Sequence, residues 1–129
     1  MTAPAWLDGA VRAFGRQMGL KNFGLGERDV AGVTFENGVS VRLEYARESL
    51  SVMAVVPCGE DASSLRRFLG RVHPAAHPSV PALRAVRFAR SGSGAYVVRL
   101  PERAVTVSEL ERVFRIVWEE AVAFARRSA

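Results

Sequence analysis

Residues Val30 to Val56 read VAGVTFENGVSVRLEYARESLSVMAVV, and the fold turns on how that stretch is parsed. Asn37-Gly38 lies between two alternating segments, and this dipeptide is the strongest short-range signal for a tight hairpin. Before it, Val33 and Phe35 alternate with Thr34 and Glu36. After it, Val39, Val41, Leu43 and Tyr45 alternate with Ser40, Arg42 and Glu44. A period of two places each set on one face of a sheet. A third strand, Leu50 to Val56, follows a polar turn at Arg47-Glu48. It breaks the alternation, because Met53 and Val55 are apolar on the face that ought to be wet. The stretch predicts a three-stranded antiparallel meander with one core face and an apolar last strand.

Outward from the meander, the pattern changes period. Ala5 to Leu20 is an amphipathic helix in which Trp6, Leu7, Ala10, Val11, Phe14 and Met18 recur at three-and-four spacing. Pro4 suits its first turn, and Gly19 its stop. Gly9 and Gly15 each weaken it by roughly 1 kcal/mol relative to alanine, so packing must hold it. Beyond the meander, Pro57-Cys58-Gly59 breaks the chain. Asp61 or Ser63 caps a short helix to about Val72, with Leu65, Phe68, Leu69 and Val72 as its stripe. His73 to Pro81 holds three prolines and reads as loop. Two strands follow, Leu83 to Arg90 and Ala95 to Leu100, turned by Ser91 to Gly94. Val86 and Phe88 share a face of the first, and Tyr96, Val98 and Leu100 a face of the second. If the two pair as a hairpin, Arg87 and Arg99 both point away from the core. Thr106-Val107-Ser108-Glu109 is a capping box that opens a last helix to about Arg127. Leu110, Val113, Phe114, Val117, Trp118, Ala121 and Phe124 form its stripe. The fold class is therefore α+β: one domain over 1–129, in the order α-β-β-β-α-β-β-α, with a twisted antiparallel sheet and helices packed against it.

Composition bounds the function. A chain of 129 residues, 49% hydrophobic and 24% charged, builds a core without metals or disulfides. Cys58 is the single cysteine, which excludes an intrachain disulfide and suits a reducing compartment. The first residues lack a basic region followed by an apolar run, and no stretch approaches the roughly 20 apolar residues of a membrane span. A cytoplasmic protein is expected, with no membrane partner.

Net charge is +5, and the excess is local. Between Asp61 and Arg103 stand eight arginines against two acids, Asp61 and Glu102. Such a patch admits nucleic acid as a partner, through Arg66, Arg67, Arg71, Arg84, Arg87, Arg90 and Arg99. Against this, the chain has one lysine, few aromatics beside those arginines and no nucleic-acid motif. Arginines on solvated helix and strand faces are the plainer reading.

Catalytic chemistry finds little purchase. Cys58, His73 and His77 are the only nucleophile and bases of that kind, and no third orienting group accompanies them. As metal ligands, their separations of fourteen and three intervening residues match no standard zinc site. Glu60-Asp61 reads as a helix start. Gly24-Leu25-Gly26 lacks the spacing of a phosphate-binding loop. No catalytic residue, metal or cofactor is expected. For Trp6, Phe14 and Met18, packing against the sheet is the simple alternative to a binding role, and for Met53 and Val55 it is burial against a helix or a second copy.

In its order and motifs the chain resembles the class I chaperones of type III secretion systems, the Tir-chaperone (CesT) family. The first helix ends in FGRQMGL, like the family's helix running into a Gly-Leu break. FENGVSVRLEY resembles its hairpin. RLPERAVTVSELERVF resembles the family's strand, Leu-Pro, then Glu-Leu helix, and Trp118 stands where many members carry tryptophan. The resemblance implies a non-enzymatic, cytoplasmic homodimer that holds the N-terminal segment of a secreted effector or translocator non-globular. It makes Leu65, Phe68, Leu69, Val86 and Phe88 the dimer contact, and Trp6, Val11, Phe14, Met53 and Val55 the partner surface; Arg87 and Arg99, expected to point away from the core, are added to that surface on the residue reading. These chaperones are commonly acidic and this chain is basic: either its partner is acidic along the bound segment, or the resemblance is one of fold alone.

Overall fold

Most alternating apolar residues of the strands fall on one face of a five-stranded antiparallel sheet; α3 packs on that face, and α1 packs on α3. The computed structural model describes residues 2–59, 61–70, 83–88 and 92–128. Along the chain these form α1 (Ala5–Gln17), β1 (Val30–Thr34), β2 (Ser40–Ala46), β3 (Ser49–Pro57), α2 (Ala62–Gly70), β4 (Arg84–Phe88), β5 (Ser93–Pro101), a short 3-10 turn (Glu102–Ala104) and α3 (Val107–Ser128). The order is the expected one. Spatially the strands run β1-β2-β3-β5-β4. The long strands β3 and β5 sit inside, and the five-residue strands β1 and β4 form the edges, where short length limits edge-to-edge pairing.

The turn at Arg47-Glu48 forms where expected, but the connection at Asn37-Gly38 is longer than expected. Asn37-Gly38 is not a two-residue loop. The amide of Phe35 donates to the carbonyl of Val39 and the amide of Gly38 to that of Phe35, so residues 36–38 make a three-residue connection. Gly38 takes the left-handed position at its end, with φ +84°. The tight two-residue turn is Arg47-Glu48, closed by the pair Ala46↔Ser49. Both of its residues hold positive φ, 53° and 59°, the pattern of a type I′ turn filled with residues that pay a steric cost there. The Glu48 carbonyl accepts the amide of Glu102 at 3.0 Å, which pins the turn to the end of β5. Beside it the Tyr45 hydroxyl donates to Glu102 at 2.5 Å, and that bond pushes its pKa up to about 12.

Glycine where α1 least favours it has a packing reason. A Cβ at Gly15 would lie 2.7 Å from Cβ of Phe23. The bare backbone lets the loop after α1 lay Phe23 against the helix, edge-on to Phe14. The same loop is tied down by Asp8, which accepts the Leu25 amide at 2.9 Å and the Arg12 guanidinium at 2.8 Å. Gly19, at φ +75°, closes α1 as the Leu20 amide donates back to Gly15 and its own to Arg16. Asp29 accepts the amides of Thr2 and Ala3 and the Thr2 hydroxyl, anchoring the start of the chain.

The core lies between the sheet and the pair α1 and α3. Leu50, Val52, Ala54 and Val56 of β3 and Tyr96 of β5 face it, all 0–1% exposed. The predicted stripe of α3 is buried, except that Trp118 is only partly so. Aromatic rings run through the core in two groups. Phe14 meets Phe114 edge-on at 5.5 Å, and Phe114 stacks on Trp118 at 5.8 Å. Further along α3, Phe124 meets Phe68 of α2, which lies 4.7 Å from Tyr96. Gly94 makes room there, since a Cβ would come within 2.4 Å of the Phe68 ring. Asp61 caps α2 through the Ser64 amide at 2.9 Å. At α3 the Thr106 hydroxyl accepts the Glu109 amide, while the Glu109 carboxylate turns to Arg112 instead of completing the box.

Candidate functional site: the open face of the sheet

Among the described residues the helix contacts with the sheet, from α3 and from Phe68 of α2 against Tyr96, fall on one side, and no described helix contact falls on the other. The strand registers place its residues in rows. One row holds Gly32, Arg42, Met53, Val97 and Arg84, and the next Thr34, Ser40, Val55, Ala95 and Val86. Arg99 lies beside Ser51 and Glu44, and Phe88 beside Ser93. An apolar centre of Met53, Val55, Ala95, Val97 and Val86 is thus flanked by Arg42, Arg84 and Arg99. Alternation in β3 had already set Met53 and Val55 on this side. Met53 is only 6% exposed between Arg42 and Val97 and Ala95 beside it 0%, so these two offer a partner little surface, whereas Val55 is half-buried.

The registers also correct the reading of β4. Val86 pairs with Ala95 and Phe88 with Ser93, so both lie on the open face, opposite Tyr96, Val98 and Leu100. Arg87 pairs with Gly94 and shares the helix-side face, where its position on the edge strand leaves it exposed. Arg87 and Arg99 therefore lie on opposite faces and cannot belong to one basic strip. The reason is that alternation says which residues share a face and not which face is covered.

Burial redistributes the remaining candidates. Val11 and Phe14 are 0% exposed and belong to the core between α1, α3 and the sheet, so they offer a partner no surface. Phe68 is equally buried, enclosed by Tyr96 and Phe124 within the same chain, and its carbonyl accepts the Tyr96 hydroxyl at 3.0 Å. Trp6 stands out at 54% exposed near the start of α1. On α2, Leu69 is 45% exposed and Leu65 half-buried; on β4, Val86 is 41% exposed and Phe88 half-buried. Sequence reasoning missed Arg84, Val97, Ser49 and Ser51 as members of one surface. Reading the second phase of β5, Ala95-Val97-Arg99, against its β3 partners would have found them.

Chemistry remains sparse. Cys58 is buried, its thiol 3.6 Å from the Gly59 carbonyl, and packs as a small apolar side chain. Glu60, His73, His77, Arg71 and Arg90 lie outside the described residues. Among the described residues no cluster of three metal-ligating side chains occurs, and no helix is long and apolar enough to cross a membrane. The arginines are dispersed: Arg84 and Arg99 on the open face, Arg87 on the other, and Arg67 half-buried with its guanidinium 5.0 Å from the Phe124 ring centroid.

No family model and no curated protein matches the sequence. Among solved structures, a chain of the ExsC–ExsE complex superposes with a TM-score of 0.77 at 18% identity, covering 98% of this chain and 96% of that one. A chain of the HopA1–SchA chaperone–effector complex gives 0.68 at 16% identity, over 92% and 91% of the two chains. A chain from the complex of the Yersinia pestis type III secretion chaperone SycH with a YscM2 fragment gives 0.65 at 16% identity, over 92% and 98%. This α+β fold, from the first helix to the last, is that of type III secretion chaperones.

Proposed function

We propose that the protein is a cytoplasmic type III secretion chaperone that works as a homodimer and holds the N-terminal segment of a secreted effector or translocator non-globular before export. The observation that carries this reading is the end-to-end match of its fold to chains from complexes of this kind, one of them described as chaperone–effector. The physics of the surface is compatible. A non-globular segment gains affinity by burying apolar side chains over a large area, which offsets the entropy of ordering it. Exposed Trp6 and Val86, with half-buried Val55 and Val97, supply apolar area for it. No side chain in this reading does covalent chemistry, so the protein is not an enzyme.

The second copy would dock through α2 and β4, where Leu65, Leu69, Val86 and Phe88 leave apolar surface at the sheet edge. Phe68, Val11 and Phe14 act inside the protomer. A nucleic-acid role is disfavoured by the dispersal of Arg84, Arg87 and Arg99 over two faces, because a basic footprint needs its charges on one.

The test is copurification of the tagged protein from its native host, with partners identified by mass spectrometry. One stoichiometric protein, bound through its N-terminal region by two copies of this chain, is the expected result. Recovery of nucleic acid that is released by salt, with no protein partner, would overturn the proposal.

A further inference from the structure

We infer that the open face carries a docking site for an acidic segment of the partner protein, seated between Arg84 and Arg99. This rests on the chaperone reading and adds the chemistry of the segment that is held. A depression of about 380 Å³ opens at the corner where β3, β5 and β4 adjoin. Arg84, Arg99, Ser49 and Ser51 surround it over Val97, and Val86 closes the side nearest the proposed dimer contact.

The two arginines are placed to act together. Arg84 pairs with Val97, two residues before Arg99 on the adjacent strand. Diagonal neighbours of this kind are about 7–8 Å apart at Cα, within reach of one group for two long side chains. Both residues are exposed. Among the described residues neither meets an acidic side chain. The single carboxylate on the strands of this face, Glu44, lies 2.6 Å from Arg42 and is already engaged. Two adjacent cations with no counter-charge repel, and a carboxylate placed between them removes that repulsion while accepting charge-assisted hydrogen bonds. The serine hydroxyls donate to the same oxygens.

The surroundings select a peptide. The floor is aliphatic, so side chains flanking the carboxylate find apolar contact. Among the described residues no aromatic ring lines the depression to stack a base. The amides of β3 and β5 are consumed in the strand ladder and form no cradle for phosphate. A second copy is a poor occupant, because a two-fold contact centred here would set Arg84 and Arg99 against the same pair.

The experiment measures fluorescence anisotropy of a labelled extended peptide that alternates Glu with Val and Ser, against the same peptide with Lys for Glu, on the full-length protein. The acidic peptide should bind, with affinity that falls as salt rises. The R84E/R99E variant should lose about tenfold or more and gain affinity for the lysine peptide. R84Q/R99Q, with a melting temperature matching the parent, should show the loss without the gain. The inference is overturned by equal binding of the two peptides, by no binding of the acidic one at low salt, by retention in R84E/R99E, or by inorganic phosphate or a single-stranded oligonucleotide displacing the peptide at lower concentration than free acidic peptide does. Copurified client separates the two readings. A client that stays fully bound to R84E/R99E overturns this site alone, whereas absence of any client from the parent protein overturns the chaperone reading.

Discussion

Replacing Phe14 with alanine separates a core role from a surface role, because the family resemblance and the burial assign this residue differently. Phe14 is 0% exposed and meets Phe114 at 5.5 Å and Phe23 at 6.1 Å, both edge-on. Truncation removes the transfer energy of the ring and leaves a cavity, together about 3–5 kcal/mol. The site collapses poorly, since Phe23 is held by the Asp8–Leu25 hydrogen bond on one side and Phe114 by α3 on the other. Against a total stability of about 5–15 kcal/mol, the loss lowers the melting temperature by about 10–18 °C for a chain of this length. Circular dichroism melts and urea titrations at fixed protein concentration read it directly. Trp6→Ala is the control: at 54% exposed it should cost under about 1 kcal/mol, with its effect on partner capture instead. A melting temperature for Phe14→Ala within about 3 °C of the parent, combined with lost partner capture, would refute the assignment of Phe14 to the core.

Four further outcomes follow from particular contacts. Gly94→Ala drives a methyl into the Phe68 ring, which is confined by Tyr96 and Phe124, and should cost about 1–3 kcal/mol by chemical denaturation. Arg47→Asn with Glu48→Gly relieves two left-handed residues of the β2–β3 turn and should raise stability by about 1–2 kcal/mol, read as a higher urea midpoint. Burial opposes ionisation of Asp8, but the Arg12 guanidinium and the Leu25 amide outweigh it and hold its carboxyl below the usual range. Its contribution is therefore complete above about pH 4–5 and lost as pH falls through the folded value; Asp8→Asn should be less stable at neutral pH, with the gap to the parent narrowing in acid. Leu69→Asp, at a 45% exposed position, should leave the melting temperature of the protomer near the parent's while shifting mass by light scattering from dimer to monomer; an unchanged dimer would remove α2 from the contact.

Periodicity in the sequence determined the element order, the two faces of β2 and β3, and the apolar stripe of α3. These are local properties. A period of two or of 3.6 is imposed by backbone geometry whatever the element later meets. Asn37-Gly38 marked a hairpin correctly, yet the tight turn formed at Arg47-Glu48. Turn length follows from where the flanking strands pair, and the Ala46↔Ser49 pair leaves two residues to close the loop. Gly15 looked like a defect until Phe23 was found against it.

Tertiary structure alone decided which phase of β4 faces the helices. Val86 and Phe88 alternate with Ala85 and Arg87, and the pattern reads the same from either side. The pairing Phe88↔Ser93 turns the apolar pair to the open face and Arg87 to the helix side. The candidate site shares that origin. Arg84 and Arg99 are fifteen positions apart in sequence, and nothing in the order of residues marks them as neighbours. They meet because β5 inserts between β3 and β4 and sets Arg84 and Arg99 on the same face, the one opposite α3.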